Sequence, residues 1–433
     1  MEPRRGRLTG GVFFRREGVQ EMSGTRESGY KWIVLTLLFV AYFIVQATRQ
    51  LYYASIPPIR GDLGLGATAL GMVATTFLLV YGLCAPCASV VADILRRKTV
   101  VVCGCFVFSA GILAAGFAPS LSALVACYGV IAALGQSMVP SSSSAIVSEF
   151  HDKTRSTALS IYQSALYLGV ILSSVFAGRI GSLGPGAWRR GFWMLGAAGV
   201  VWSVVLLLFL HEKAKSPSGA SAAKGKTSAK DAVLSVLGSP SALLLTLGFG
   251  LCQYGDNGFR VWMVTHLGDT FLPAAPASAA FHAVFWFYVG AFLGINVAGR
   301  FTDRMIRRRP AARFEVAAAG LALSAPCALF AVRTGSLAWA CAGLLCWGFA
   351  RGIYDSNFFA SLYDVVEPRF RAAATGLFCC GGFLLGAAAP AVLGRIAETF
   401  SMMTGLSTLG VFYLLGAGAV LLARHRWRGH VGE

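Results

Sequence analysis

Charge is scarce in this chain. Asp, Glu, Lys and Arg make up 13% of its 433 residues, about half the share of an ordinary soluble protein. Acids are scarcest, 19 against 37 Lys and Arg. The net charge of +18 would suit nucleic acid, but the basic residues sit in short loops beside apolar runs, which excludes that partner. Histidine is rare, six in all, and no cluster of His and acids stands at one membrane face to serve an enzyme. No G-x-x-x-x-G-K-[ST] phosphate loop occurs, which counts against ATP drive and leaves no cofactor to expect. Eleven cysteines lie mostly inside apolar runs and read as small packing residues. Cys84 and Cys87 form a C-x-x-C, but in mid-span, where a packing role outweighs metal or redox chemistry. The first 31 residues are polar and Arg-rich and the first apolar run is long, so no cleavable signal peptide is expected.

Apolar runs are what the chain has in abundance. Hydrophobic residues reach 56%, with a mean hydropathy of +0.65. The runs are long enough to cross a bilayer core of about 30 Å, and in lipid each must satisfy its own backbone, which dictates helices. Spans are expected near 32–55, 68–91, 99–118, 121–148, 156–180 and 191–210. Six more follow near 240–266, 277–301, 314–333, 336–364, 371–396 and 402–424. The organisation is a tail (1–31), a six-helix half (32–210), a Lys-, Ser- and Gly-rich linker (211–239), a second six-helix half (240–424) and a tail (425–433). The tail at 1–30 reads as disordered. Fifty-one glycines suit close helix contacts in lipid.

Charge sets the expected orientation. Arg60, Arg179, Arg189, Arg190, Arg333 and Arg395 fall in loops of one side, and Arg49, Arg260 and Arg351 fall within spans. The rest of the 37 Lys and Arg fall on the side of the termini, so both termini are expected in the cytoplasm.

The halves repeat. Asp93 and Arg97 stand four apart in SVVADILRRK, and Asp303 and Arg307 four apart in GRFTDRMIRRR. The stretch from Glu149 to Arg155 parallels that from Asp364 to Arg371. Six spans, a linker and six related spans are a parallel duplication, with a substrate path expected between the halves near the midplane.

With these turns the chain resembles the major facilitator superfamily over residues 32–424. Gly299, Asp303, Arg304, Arg307 and Arg308 match its signature loop, with Ile306 at the second glycine. The first copy keeps Asp93, Arg97 and Lys98. The resemblance implies an all-α integral membrane fold of twelve transmembrane helices in two six-helix halves, working by alternating access. It also implies that Asp93, Arg97, Asp303, Arg304 and Arg307 gate the cytoplasmic side. The run from Arg49 to Pro57, followed by Asp62-Leu63-Gly64, is similar to the start of organophosphate antiporters and related organic-anion transporters. Gly135-Gln136-Ser137-Met138-Val139-Pro140 looks like their fourth-helix stretch. The phosphate-binding members pair that first-helix Arg with another in helix seven, where this chain has Gln253, and carry a His in helix five, where it has Leu166. Both departures favour a carboxylate or sugar acid over a phosphate ester.

The intramembrane polar residues carry the rest. Arg49 stands about 27 Å along the helix from Lys31, and its planar fork suits a carboxylate. Arg351 and Asp355 share one face of the tenth span, with Asn357 nearby. Asp256 and Arg260 repeat that spacing in the seventh, where Gly255 and Gly258 suggest a helix break. Substrate contacts are expected at Arg49, Gln136, Gln163, Gln253, Arg351 and Asn357, and coupling carboxylates at Asp256 and Asp355. For Asp256 the rival is an outer-end ion pair with Arg260.

The resulting expectation is a multi-pass monomeric secondary transporter, not an enzyme. Its partners are a small organic anion, protons or a counter-anion, and the lipid bilayer. The alternatives are a lipid or drug exporter of the same fold, in which the arginines only gate, and a receptor-like member without flux.

Overall fold

The computed structural model describes residues 13–151, 154–211, 237–306, 308–309, 311–367 and 371–431. With no water in the apolar layer, each run closes its hydrogen bonds within itself, and the described residues form helices without a strand. The spans of the first half are α1 (Phe13–Ala54), α2 (Ala67–Ile94), α3 (Arg97–Ala115), α4 (Leu121–Phe150), α5 (Arg155–Gly181) and α6 (Trp188–Phe209). The second half follows with α7 (Pro240–Phe271), α8 (Pro276–Ile306), α9 (Ala312–Arg333) and α10 (Leu337–Val365). It ends with α11, in two pieces (Arg371–Gly386 and Ala389–Thr399), and α12, also in two (Met402–Ser407 and Leu409–Val431).

Eleven of these helices are long and apolar enough to cross a membrane by length and composition. The remaining one, α7, has 32 residues, and Gln253, Asp256, Asn257 and Arg260 lie in its middle. The least apolar span is thus the one that faces the other half across α1.

Glycines set the closest helix approach. An added Cβ at Gly348 of α10 would lie 1.9 Å from the Phe287 carbonyl oxygen of α8, and one at Gly290 of α8 would lie 2.1 Å from that of Leu345. Backbone therefore rests on backbone along α8 and α10, as small-residue packing in lipid allows.

Several elements differ from the sequence expectation. The first helix begins at Phe13, so backbone read as an unstructured tail is helical, because extending a helix backwards from a span costs less than starting one. Helix α7 runs unbroken through Gly255 and Gly258. These glycines make room instead: an added Cβ would lie 2.4 Å from the Tyr413 ring at Gly255 and 2.5 Å from Leu393 at Gly258. The interruptions fall in α10, between Asp355 and Phe358, in α11, between Gly386 and Ala389, and in α12, at Thr408. Most of the linker, residues 212–236, lies outside the described residues.

The two halves meet along α2 with α11 and α5 with α8. Their described contacts are tightest on the face opposite the termini. There an added Cβ at Gly178 of α5 would lie 2.4 Å from the Cα of Ala277 of α8, and one at Gly394 of α11 would lie 2.6 Å from the Ala67 carbonyl oxygen of α2. Toward the face of the termini, an added Cβ at Gly299 of α8 or Gly376 of α11 would meet nothing within 4 Å among the described residues.

Candidate substrate site

Arg49 sits toward the end of the membrane part of α1, Gly29–Ala54, and is 8% exposed. Its Nε donates to the Tyr53 hydroxyl, one turn on, at 3.4 Å. The rings of Tyr53 and Phe77 lie 6.0 and 5.9 Å from the guanidinium, close enough for weak cation–π attraction. No carboxylate pairs with it among the described residues. Its backbone is held from below: eight residues of α4, Val125–Ala132, wind as a π-helix and carry Tyr128, whose hydroxyl donates to the Arg49 carbonyl at 3.2 Å. Tyr128 stacks on Tyr52 and Phe77 at 4.3 and 4.9 Å. A rigid aromatic floor therefore holds an unpaired cation.

Arg351 is as deeply buried, at 5% exposure, but fully engaged. Its Nε and Nη2 donate to the two Asp256 oxygens at 2.9 and 2.7 Å, and its Nη1 donates to Asp355. Tyr413 adds a hydrogen bond to Asp256 at 3.4 Å. Asp256 and Arg260, four apart in sequence, do not pair. Arg260, left without a carboxylate among the described residues, lies with its guanidinium 5.9 Å from the Tyr288 ring. It lines one narrow crevice with Tyr288 and with Gln50 of the other half. Tyr288 lies within electrostatic reach of Arg260, Arg49, Arg351 and Asp256, and its ring meets Tyr167 of α5 edge-on at 5.5 Å. This tyrosine lies where the two halves meet, with Arg260 beside its ring. Its hydroxyl, Gln50 Nε2 and Gln136 Oε1 are buried with no hydrogen-bond partner among the described residues.

The other expected contacts are more scattered. Gln163 is exposed, one turn from Tyr167. Gln253 is buried against Gly386 at the break in α11, where an added Cβ would lie 2.7 Å from its own. Neighbouring Asn257 donates to the Gly386 carbonyl at 3.2 Å, answering a carbonyl that the break leaves free. Asn357 is buried in the joint of α10 and donates to Ile353 O and Ser356 Oγ, so its hydrogen bonds are spent locally.

At the face of the termini, Arg97 pairs with Glu149 and Arg313 pairs with Asp364 through both oxygens at 2.7 and 2.9 Å. Each pair joins the start of one span to the end of the next, at equivalent places in the two halves. Asp303 and Arg304 are exposed. Arg307 and the side chain of Asp93 lie outside the described residues. On the opposite face, Asp62 accepts from Trp188 Nε1 at 3.0 Å and from Arg189 at 3.3 Å, which anchors the turn at Gly64 (φ 62°) to α6.

The profile of the Major Facilitator Superfamily matches residues 38–390. The chain belongs to that superfamily. Two relatives span nearly the whole of it. An "MFS-type efflux pump" of Mycolicibacterium smegmatis is 25% identical over 423 residues, 93% of this chain and 94% of the relative. A "D-galactonate transporter" of Escherichia coli O6:H1 is 20% identical over 425 residues, 90% and 95%. Among solved structures, a bacterial homologue of the human lysosomal transporter Spinster, inward-facing and unoccupied, superposes with a TM-score of 0.82. It is 19% identical, with 92% of this chain and 98% of that one covered, and it shares the superfamily's twelve-helix fold. The protein is therefore a multi-pass membrane transporter, and Arg260, Tyr288 and Gln50 lie where its two halves meet.

Proposed function

We propose that the protein moves a small organic acid, a carboxylate or sugar acid, across its membrane by alternating access. The observation that carries this reading is Arg49. A buried guanidinium inside a membrane span is costly unless something neutralises it, and Arg49 has no carboxylate partner among the described residues. A substrate carboxylate supplies the missing partner through two parallel N–H···O bonds. Arg260 is a second unpaired cation near the same interface. The unpartnered Gln50, Gln136 and Tyr288 side chains suit the hydroxyl groups of a polyhydroxy acid. The name of the D-galactonate transporter relative points the same way.

Asp256, Arg351 and Asp355 are read as the coupling site. Two carboxylates against one guanidinium leave one acid in excess in a low-dielectric setting, a situation relieved by binding a proton. Exchange against a counter-anion would use the same unpaired arginines. Both termini are placed in the cytoplasm, where Arg97–Glu149 and Arg313–Asp364 tie neighbouring helix ends as each half rocks.

A thermal-shift screen of the purified protein tests the substrate class. A ligand that binds the folded state raises the midpoint by mass action. Small carboxylates or sugar acids are expected to raise it and amphiphilic cations are not. A rise with amphiphilic cations or lipids alone would favour an exporter, the reading suggested by the efflux-pump relative's name.

A further inference from the structure

The closed face is held by a pair of exchanged helix caps. The first few N–H groups of any helix lack an internal partner, and a side chain at the N-cap ordinarily takes one. Helix α2 begins after Gly66 and the second piece of α11 begins after Ala388, and neither residue supplies a side-chain cap. In both cases the acceptor comes from the other half. Glu398 of α11 accepts from the Thr68 N–H at 2.9 Å and from the Thr68 hydroxyl. Thr75 Oγ1 of α2 accepts from the Ala391 N–H at 3.2 Å.

The neighbouring surface is cut to fit. An added Cβ would lie 2.2 Å from Glu398 Oε1 at Gly66 and 2.3 Å from the Pro390 carbonyl oxygen at Gly71. Thr68, Gly71 and Thr75 follow one another at helical spacing on α2, and Ala391, Gly394 and Glu398 do so on α11, so a single zipper runs along this end of the two helices. When this face opens in alternating access, both caps must break together.

We propose that Glu398 is the latch of this gate, and that a proton taken up from the solution on that face releases it. The ionised carboxylate accepts from both donors at the positive end of α2. Protonation removes the charge, and hydrogen bonds to a neutral acceptor are roughly half as strong. The side chain is 31% exposed, so solution protons reach it. The charged groups around it are Arg395 on its own helix, 4.0 Å away, and Arg60 of the short helix Ile56–Leu63 before α2. Arg60 in turn faces Asp269 at the end of α7. The latch does not depend on what is carried, and it lies at the opposite end of the halves from the signature loop.

Hydrogen–deuterium exchange of the full chain in lipid nanodiscs reads the latch directly, once intrinsic rates are corrected for pH. At about pH 8, where carboxylates are ionised, the backbone from Thr68 to Thr75 is expected to be protected in the wild type. In Glu398→Gln it should exchange about tenfold faster, the change expected from losing one charge-assisted hydrogen bond. Lowering the pH to about 3.5, below the ordinary carboxylate pKa, should bring the wild type toward the variant and leave the variant unmoved. Thr68→Val, which removes the hydroxyl donor and keeps the N–H, should shift the same segment in the same direction. Equal rates in wild type and Glu398→Gln at the higher pH would overturn the proposal. So would an undiminished pH response in the variant. A rise shared equally by the segments around Gly104 and Gly135, which pack within the first half, would also overturn it, because the effect would then be on the fold and not the gate. Arg49→Ala should leave these rates unchanged, so the latch and the acid site stand or fall separately.

Discussion

Replacing Arg49 by alanine is expected to weaken acid binding about a hundredfold, the equivalent of about 3 kcal/mol for a lost two-pronged charged contact. The same change should leave the unliganded protein as stable as before, or more stable. The reason is the absence of any carboxylate partner for Arg49 among the described residues: alanine relieves a desolvated charge and breaks only one long bond, to Tyr53 at 3.4 Å. Titration calorimetry with the acid found by screening gives the first quantity, and the thermal midpoint without ligand gives the second. Arg49→Lys keeps the charge but not the fork and should fall between. A large loss of stability without ligand would mean that Arg49 is a structural residue.

Arg351→Met should do the reverse. Arg351 and Asp256 are both almost fully buried, with side-chain exposures of 6% and 7%. Removing the cation strands Asp256, and Asp355 beside it, with no counter-charge. Breaking a buried pair from one side typically costs about 3–5 kcal/mol, which should appear as a much lower midpoint or loss of folded protein on purification. Adding Asp256→Asn and Asp355→Asn to Arg351→Met should recover most of that loss, because the stranded charges are then gone. If the single variant is as stable as wild type, the triad is not paired as described. Two arginines of similar burial thus have opposite expected effects, and the difference is only what each one touches.

Much of the fold was legible in the sequence because lipid leaves the backbone few options. Apolar runs of the right length must be helices, and the repeated Asp-x-x-x-Arg turns between them exposed the duplication. Arg49 was legible for the same reason, as a charge where none is cheap. Its neighbours were not. Asp256 has a sequence neighbour, Arg260, at a spacing suited to pairing, yet it bonds to Arg351, 95 positions away. Helix periodicity reports only contacts along one helix, and this contact depends on how α7 and α10 lie against each other. Freeing Arg260 from Asp256 is what turns it from an ion-pair partner into a cation available to the site. Glu149 and Asp364 stood out only as part of a repeat. The signal that would have identified them as ion-pair partners was there: an Arg opening the third and ninth spans and an acid closing the fourth and tenth. Glu398 carried no signal at all, since its role depends on where Gly66 and Thr68 of the other half come to rest.

A buried Arg49 with no carboxylate partner among the described residues is what we propose binds the organic acid on its way across the membrane. Uptake of that acid into proteoliposomes, measured side by side for wild type and Arg49→Ala, tests it most directly. Saturable uptake by the wild type and background uptake by the variant are expected at equal amounts of inserted protein. Equal uptake by the two proteins, or transport only of lipids or amphiphilic cations with no dependence on Arg49, would contradict it.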